Sequence, residues 1–186
     1  KDHNVVNFNN VLRLFDWDLS DRQVRIDLSQ CSTANYQALS LLVLYSWKLK
    51  SQSCTVSFNE TPGTGGASAM WRNMGARGTF PVLLSDTHNF QGNPLKPMLA
   101  LRGKYDFTSI IETADKYTRD FNLEYTNTLR YILSELMYNA MEHGASSYTV
   151  HNRPKNMPSL VQFTYYQQQN ALHFIIADTG IGIKKH

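Results

Sequence analysis

The chain has 186 residues, of which 42% are hydrophobic and 18% charged, a composition typical of a globular protein with one large or two small domains. Its net charge of +3 comes from scattered lysines and arginines, which argues against nucleic-acid binding. The longest apolar run, Ala38–Tyr45, is too short to span a bilayer, and the two distant cysteines suggest a reducing compartment and no zinc site, so we expect a cytoplasmic protein without a membrane partner.

The first half of the chain alternates predicted strands and helices. Residues 24–28 alternate weakly and predict a strand, and Ser32 or Thr33 is expected to cap a helix over residues 36–49. Residues 54–58 predict a second strand, and a second helix is expected over residues 67–74 after the loop TPGTGG. This order indicates a small α/β layer with parallel strands.

The second half is expected to be a separate domain. Residues 81–97 contain three prolines and a glycine, so we place the junction there and predict domains over residues 1–92 and 93–186. A helix with apolar positions over residues 107–121 comes next, with Ser109 and Glu112 offering a capping box. A longer helix is predicted from Tyr125 to His143, stopped by Gly144, and then two strands over residues 160–166 and 172–177 around the turn QQQN.

The long helix carries two stripes of different chemistry. Its predicted apolar stripe consists of Leu129, Ile132, Leu133, Leu136, Met137 and Ala140. Its polar stripe has spacing i, i+4, i+7 and i+8 and consists of Glu135, Asn139, Glu142 and His143. One interpretation is an ordinary solvated face. The other is a ligand site, in which the amide oxygen of Asn139 suits Mg²⁺ and Glu135 accepts a proton from an attacking water or hydroxyl.

A second motif follows the last predicted strand, where residues 178–183 read DTGIGI. The glycines permit unusual backbone angles and the close approach of a flat ligand. Asp178 can then accept a hydrogen bond from an exocyclic amine such as that of adenine. Alone the motif is weak, because such turns also occur in plain loops, and it is neither a P-loop nor the GxGxxG of a dinucleotide-binding domain.

In this order, ELMYNAMEHG and DTGIG resemble the N box and first glycine box of the histidine-kinase-like ATPase superfamily, also called GHKL. The resemblance covers residues 98–186, and the helix is most similar to that of anti-sigma-factor serine kinases. It implies a Bergerat-fold ATPase domain that binds ATP and Mg²⁺, with Glu135 as general base or water-orienting residue and Asn139 as the metal ligand.

The same resemblance assigns Asp178 to the adenine amine and Gly180 and Gly182 to the surroundings of the purine. His143 matches a common family position and is assigned to cofactor binding, with a packing histidine at the helix end as an alternative of at least equal weight. No HExxxP-type segment precedes the long helix, so histidine autophosphorylation is not expected.

Members of that superfamily continue past the first glycine box into a lid and a second glycine box. The sequence stops at His186, so we expect an ATPase domain truncated after its first glycine box. Weak or absent Mg-ATP binding by residues 1–186 follows, because no lid covers the phosphates. An unpaired sheet edge is also expected, open to a partner strand or to a homodimer.

Residues 24–60 resemble part of a STAS-type domain, the fold of anti-sigma-factor antagonists, through a buried strand, a leucine-rich helix and a short strand. The Asp-Ser-Ser-Gly phosphoacceptor turn of that family is not preserved. Ser32 and Thr33 stand near its place, and helix capping is favoured over phosphoacceptance there.

The predicted fold class is therefore α/β, with two-layer α+β sandwiches: a STAS-like domain followed by the ATPase domain. The predicted function is an ATP-binding regulatory protein that hydrolyses Mg-ATP or phosphorylates a protein serine. The alternative is a non-catalytic, nucleotide-dependent switch that docks a protein partner. A chaperone- or topoisomerase-type ATPase is disfavoured, since the helix motif is the kinase-like one.

Overall fold

The computed structural model describes residues 12–144, 146–150 and 153–180. These residues form a mixed α/β structure with small sheets, as the sequence predicts at this level. The first half contains β1 (Gln23–Asp27), α1 (Tyr36–Ser51), β2 (Thr55–Asn59), α2 (Gly66–Asn73) and α3 (Thr79–Leu84). The second half contains β3 (Met98–Leu101), α4 (Lys104–Thr118), α5 (Leu123–His143), β4 (Ser147–Val150), β5 (Arg153–Asn156), β6 (Ser159–Tyr166) and β7 (Ala171–Ala177).

The parallel layer predicted for the first half is confirmed. Strands β1 and β2 pair in parallel, with Gln23 opposite Thr55 and Asp27 opposite Asn59. Helix α1 connects them, and its inner side is buried along most of its length. A parallel pair needs such a crossover, because a tight turn can only reverse the chain direction.

The first helix begins at Tyr36 as predicted, but the predicted caps of two helices are wrong. Asn35, and not Ser32 or Thr33, caps α1, because its Oδ1 accepts the backbone N–H of Ala38 at 2.7 Å. A capping oxygen must sit one residue before the helix to reach that amide, and the helix begins at Tyr36.

The second wrong cap is that of α4, which begins at Lys104 with Gly103 at its N-cap. Ser109 and Glu112 therefore lie inside the helix and form no capping box. Instead, the side chain of Asp106 in the first turn accepts the backbone N–H of Arg102 at 3.0 Å. Helix α4 thus begins three residues before Phe107, the first residue of the predicted apolar pattern.

The segment predicted as a domain junction contains more structure than expected. Helix α3 includes Pro81 near its start, where a missing N–H costs nothing. The second half then opens with strand β3 rather than with helices, and the antiparallel pair β4 and β5 was also not predicted. Strand β3 is a run of four apolar or small residues, too short to show any period.

The antiparallel sheet β3-β6-β7 joins two hydrophobic clusters. One face, with Ala100 and Leu160, packs into the cluster of the first half, which includes Val43 and Trp47 of α1. The opposite face packs with Leu133 and its neighbours on α5. One cluster thus crosses the predicted boundary at residue 92, so the two halves share a core. The division into two domains stays a prediction.

Helices α4 and α5 cover the second face of this sheet. Within α5 the fully or nearly buried positions are Leu129, Leu133, Met137 and Ala140, a narrower stripe than predicted. Over the described residues, no helix combines the length and the apolar character needed to cross a membrane.

Candidate functional site

The two motifs singled out in the sequence meet in the structure. The C-terminal end of α5 lies directly against the turn that follows β7, so that Gly144 contacts Asp178 and Gly180 contacts the backbone of His143 and Gly144. A hydrogen bond of 2.7 Å between the side-chain oxygens of Ser146 and Thr179 also links the segment after α5 to this turn. Residues 34 positions apart along the chain thus form one continuous surface.

Both described glycines at this junction are required by close packing. A Cβ placed on Gly144 would lie 2.5 Å from the Cβ of Asp178, and a Cβ on Gly180 would lie 2.5 Å from the Cα of Gly144. Gly144 has φ −92°, so its backbone conformation does not itself demand glycine. At Gly180, the space that a side chain would occupy is filled by the backbone of His143 and Gly144 at the end of α5. Gly182 lies outside the described residues.

Asp178 presents a carboxylate at this junction. Its Oδ1 accepts the backbone N–H of Gly180 at 2.9 Å, which holds the turn closed, and its side chain is exposed. Its Oδ2 makes no hydrogen bond to any residue that the structure describes. One oxygen is therefore used by the fold, and no described residue occupies the other.

The polar residues of α5 lie on its exposed side. Glu135, Asn139 and His143 are all exposed, and their side chains form no hydrogen bond with another described residue. At a rise of about 1.5 Å per residue, Asn139 lies about 6 Å and Glu135 about 12 Å before His143 along the helix axis. The helix thus carries an amide and a carboxylate in successive turns leading up to the Asp178 turn.

Ile132 and Leu136 do not belong to the buried stripe, which corrects the sequence prediction. They are 43% and 42% exposed, although Leu133 and Met137 beside them are fully buried. Successive residues of a helix are 100° apart around its axis, so a helix that packs against one sheet buries only the positions on one side. Ile132 and Leu136 lie outside that side. The excess apolar residues therefore border the polar face that carries Glu135 and Asn139.

The donor set at this junction fits the groups that the sequence resemblance implies. Asp178 has one carboxylate oxygen without a partner among the described residues, and a carboxylate oxygen is the kind of acceptor that the exocyclic amine of adenine requires. Mg²⁺ prefers oxygen ligands and commonly takes only one or two from the protein, with phosphates and waters supplying the rest. The exposed amide oxygen of Asn139 suits that mode, and no group of three or more His, Cys, Asp and Glu side chains arranged to hold a metal occurs in the described ranges.

A second polar cluster, at the carboxyl end of the parallel strands, was not predicted. Asp27 Oδ1 accepts both the backbone N–H of Ser29 at 2.8 Å and the Ser29 hydroxyl at 2.6 Å, and Asp27 Oδ2 accepts the amide of Asn59 at 3.0 Å. These bonds, led by that from the Ser29 side chain, hold the pKa of Asp27 below its ordinary value. In the sequence, this cluster could have been found from Asp27 and Asn59, the polar residues that end the two parallel strands.

Two surface clefts lie away from the residues predicted as a nucleotide site. One, of about 590 Å³, lies between α4 and α5 and is lined by charged residues including Asp115 and Arg130, which form an ion pair at 2.7 Å. The other, of about 360 Å³, lies where the first half meets β6 and β7. Neither is lined by Glu135, Asn139 or Asp178.

Comparisons of the chain with protein-family models, with curated proteins and with solved structures give no match in any of the three.

Proposed function

We propose that this chain is an ATP-binding regulatory protein of the histidine-kinase-like type, with a STAS-like first half, that hydrolyses Mg-ATP or phosphorylates a protein serine. The observation that carries the proposal is the contact between the end of α5 and the turn after β7. Two motifs far apart in the sequence, each weak alone, lie side by side with exposed carboxylate and amide groups.

In this proposal each exposed side chain has a distinct role. Oδ2 of Asp178, which has no partner among the described residues, would accept a hydrogen bond from the exocyclic amine of adenine. Asn139, one helical turn before His143, would offer its amide oxygen to Mg²⁺, and Glu135, one turn earlier again, would take a proton from the attacking water or serine hydroxyl as ADP leaves. When bound, the ion would neutralise charge on the phosphates.

The test, made on the full-length protein, is Mg-ATP binding by calorimetry at millimolar nucleotide, together with release of labelled γ-phosphate. We expect Glu135→Ala to abolish turnover and largely spare binding, whereas Asp178→Asn, which replaces one carboxylate oxygen by an amide donor, loses adenine recognition. Glu124→Ala is the matched control, an exposed glutamate in the first turn of the same helix. Full turnover in Glu135→Ala would contradict the catalytic role of Glu135, and unchanged adenine binding in Asp178→Asn would contradict the role of Asp178 in binding the base.

A non-catalytic nucleotide switch is the second candidate. It is favoured by the core shared between the halves, because Ala100 and Leu160 of the second half pack with the cluster of the first half. A change at the α5 end has a packed route to the STAS-like half, which would serve as the docking surface for a protein partner. Binding of Mg-ATP without any γ-phosphate release or transfer distinguishes this candidate from the first.

A further inference from the structure

Helix α5 leaves much of its apolar surface exposed. Single exposed apolar residues are ordinary on a protein, whereas a continuous group of them marks an interaction site. The outer side of α5 carries such a group, although the helix packs its inner side against the sheet. Six of its large hydrophobic side chains are 42% to 73% exposed: Leu123, Tyr125, Tyr131, Ile132, Leu136 and Tyr138.

Two tyrosine–glutamate pairs repeat along this outer side. Glu135 follows Tyr131 by four residues, and Glu142 follows Tyr138 by the same step. Residues four apart are neighbours on a helix surface, so each glutamate lies next to a tyrosine. The two pairs are seven residues apart, about 10 Å along the helix axis, and all four side chains are exposed. They form a short heptad repeat of aromatic and acidic groups.

Aliphatic side chains border these pairs. Ile132 lies three residues before Glu135 and Tyr138 three residues after it, so apolar groups stand on both sides of that carboxylate. Leu136, one turn after Ile132, extends the aliphatic side and is also exposed. A partner side chain that pairs with Glu135 would therefore place its own apolar neighbours against Ile132 and Leu136.

The charge of this face selects a cationic partner. Helix α5 has no lysine, and its single arginine, Arg130, is already paired with Asp115 of α4 at 2.7 Å. Glu135 and Glu142 form no ion pair with any residue that the structure describes. A guanidinium group suits both members of each pair, because it bonds a carboxylate and stacks on an aromatic ring.

A second copy of the chain does not fit this face. Two copies of α5 packed against each other would bring glutamates together without a matching cation, and like charges across an interface are unfavourable. The same carboxylates repel nucleic acid, whose backbone is negative. A basic helix fits, because its side chains recur at the same seven-residue interval as the two pairs.

We propose that the outer side of α5 docks a basic amphipathic helix of another protein. Two arginines of that helix, seven residues apart, pair with Glu135 and Glu142 and stack on Tyr131 and Tyr138, and its apolar residues pack on Ile132 and Leu136. The proposal does not rest on the nucleotide function proposed above. Glu135 belongs to both, so the test uses the tyrosines and Glu142, which have no role in the Mg-ATP site.

The test titrates the chain into a fluorescently labelled synthetic helix of about 20 residues, with arginines seven apart and leucines beside them. We expect this peptide to bind and a peptide of the same composition in scrambled order to bind at least tenfold more weakly. Replacing both Tyr131 and Tyr138 by alanine should weaken binding about tenfold, since exposed aromatic residues dominate such interfaces. Glu142→Gln should weaken it less and reduce its dependence on salt.

The matched control is Tyr105→Ala, because Tyr105 is a 95% exposed tyrosine on α4 and its removal should leave peptide binding unchanged. The proposal is wrong if the two peptides bind equally, if neither binds, or if the tyrosine variant binds as tightly as the unsubstituted chain. Sedimentation of the chain alone should show a monomer. A dimer that dissociates in the tyrosine variant would assign this face to a second copy and would also overturn the proposal. Loss of Mg-ATP binding in Asp178→Asn with peptide binding intact would show that the two functions stand or fall separately.

Discussion

Asp27 and Asp178 stand at equivalent places in the two halves of the molecule and are used differently. Asp27 ends β1 and Asp178 follows β7, and each accepts a backbone N–H from the residue two positions later. Both oxygens of Asp27 are occupied by Ser29 and Asn59. In the part of the chain that the structure describes, Oδ2 of Asp178 has no partner.

The difference lies in what holds each turn in place. The Asp27 turn is held by side-chain hydrogen bonds between adjacent parallel strands. The Asp178 turn is held by one hydrogen bond, from the Gly180 N–H to Oδ1, and by backbone packing of Gly180 against the end of α5. Because packing takes the place of further hydrogen bonds, Oδ2 of Asp178 has no hydrogen-bond partner among the described residues. The same residue type is thus structural in one turn and a candidate ligand group in the other.

The largest effect is expected from Gly180→Ala, which tests the packing of the second turn. The added Cβ would lie 2.5 Å from the Cα of Gly144, so the turn and the helix end must separate. We expect the free energy of unfolding, measured in denaturant, to fall by about 2 to 3 kcal/mol.

The matched control is Gly78→Ala, where the nearest atoms lie at 3.8 Å and φ is −78°. We expect a change within about 0.5 kcal/mol there. Equal unfolding midpoints for the two variants would show that close packing does not fix the Asp178 turn.

A smaller effect is expected from Thr179→Val, which keeps the shape of the side chain and removes its hydroxyl. Thr179 bonds Ser146 at 2.7 Å in a partly buried setting, so losing that bond should cost about 1 kcal/mol. Thr149→Val, at an exposed threonine of β4, serves as the control. Denaturant unfolding that is indistinguishable for the two variants would mean that the hydroxyl pair does not secure the turn.

The smallest effect concerns the Asp27 turn and depends on pH. Hydrogen bonds from the Ser29 side chain and then from Asn59 lower the pKa of Asp27 below its ordinary 3.8, so the folded state favours the charged carboxylate. That contribution to stability is fully present above pH 3.8 and is lost as the pH falls through the lowered pKa.

We therefore expect Asp27→Asn to be less stable than the unsubstituted chain at neutral pH and to lose less stability on acidification. The measurement is the unfolding midpoint across the acid range. Ser29→Ala should weaken the same dependence, and Ser57→Ala, an exposed serine on β2 near Asn59, should not. An acid profile that does not respond to Asp27→Asn would show that the network around this carboxylate contributes nothing to stability.

Much of the secondary structure could be predicted from the chain alone, because its signals are local. The alternating residues of β6 and β7 and the long apolar period of α5 set those elements to within a few residues. Strand β3 and the pair β4 and β5 could not be predicted in this way. Each has four residues, which is too few for a period, and each is a strand only because a partner strand pairs with it.

The candidate site was likewise predicted only in part. Glu135, Asn139 and Asp178 were found by motif, and their roles stay predictions. The structure adds that Gly144 and Gly180 have a packing reason to be glycine, which a motif alone could not distinguish from a ligand-binding reason. It also adds that Ile132 and Leu136 are exposed, which their apolar character alone did not indicate.

By itself, the sequence determined where most helices and strands lie and which residue types end them, since hydrogen bonding and apolar periodicity act between near neighbours. Only the tertiary structure decided which glycines touch, which of two aspartates has an oxygen without a partner among the described residues, and which half of an apolar helix face is buried. Those properties depend on atoms from distant parts of the chain being close in space, and close packing leaves room for one arrangement of them.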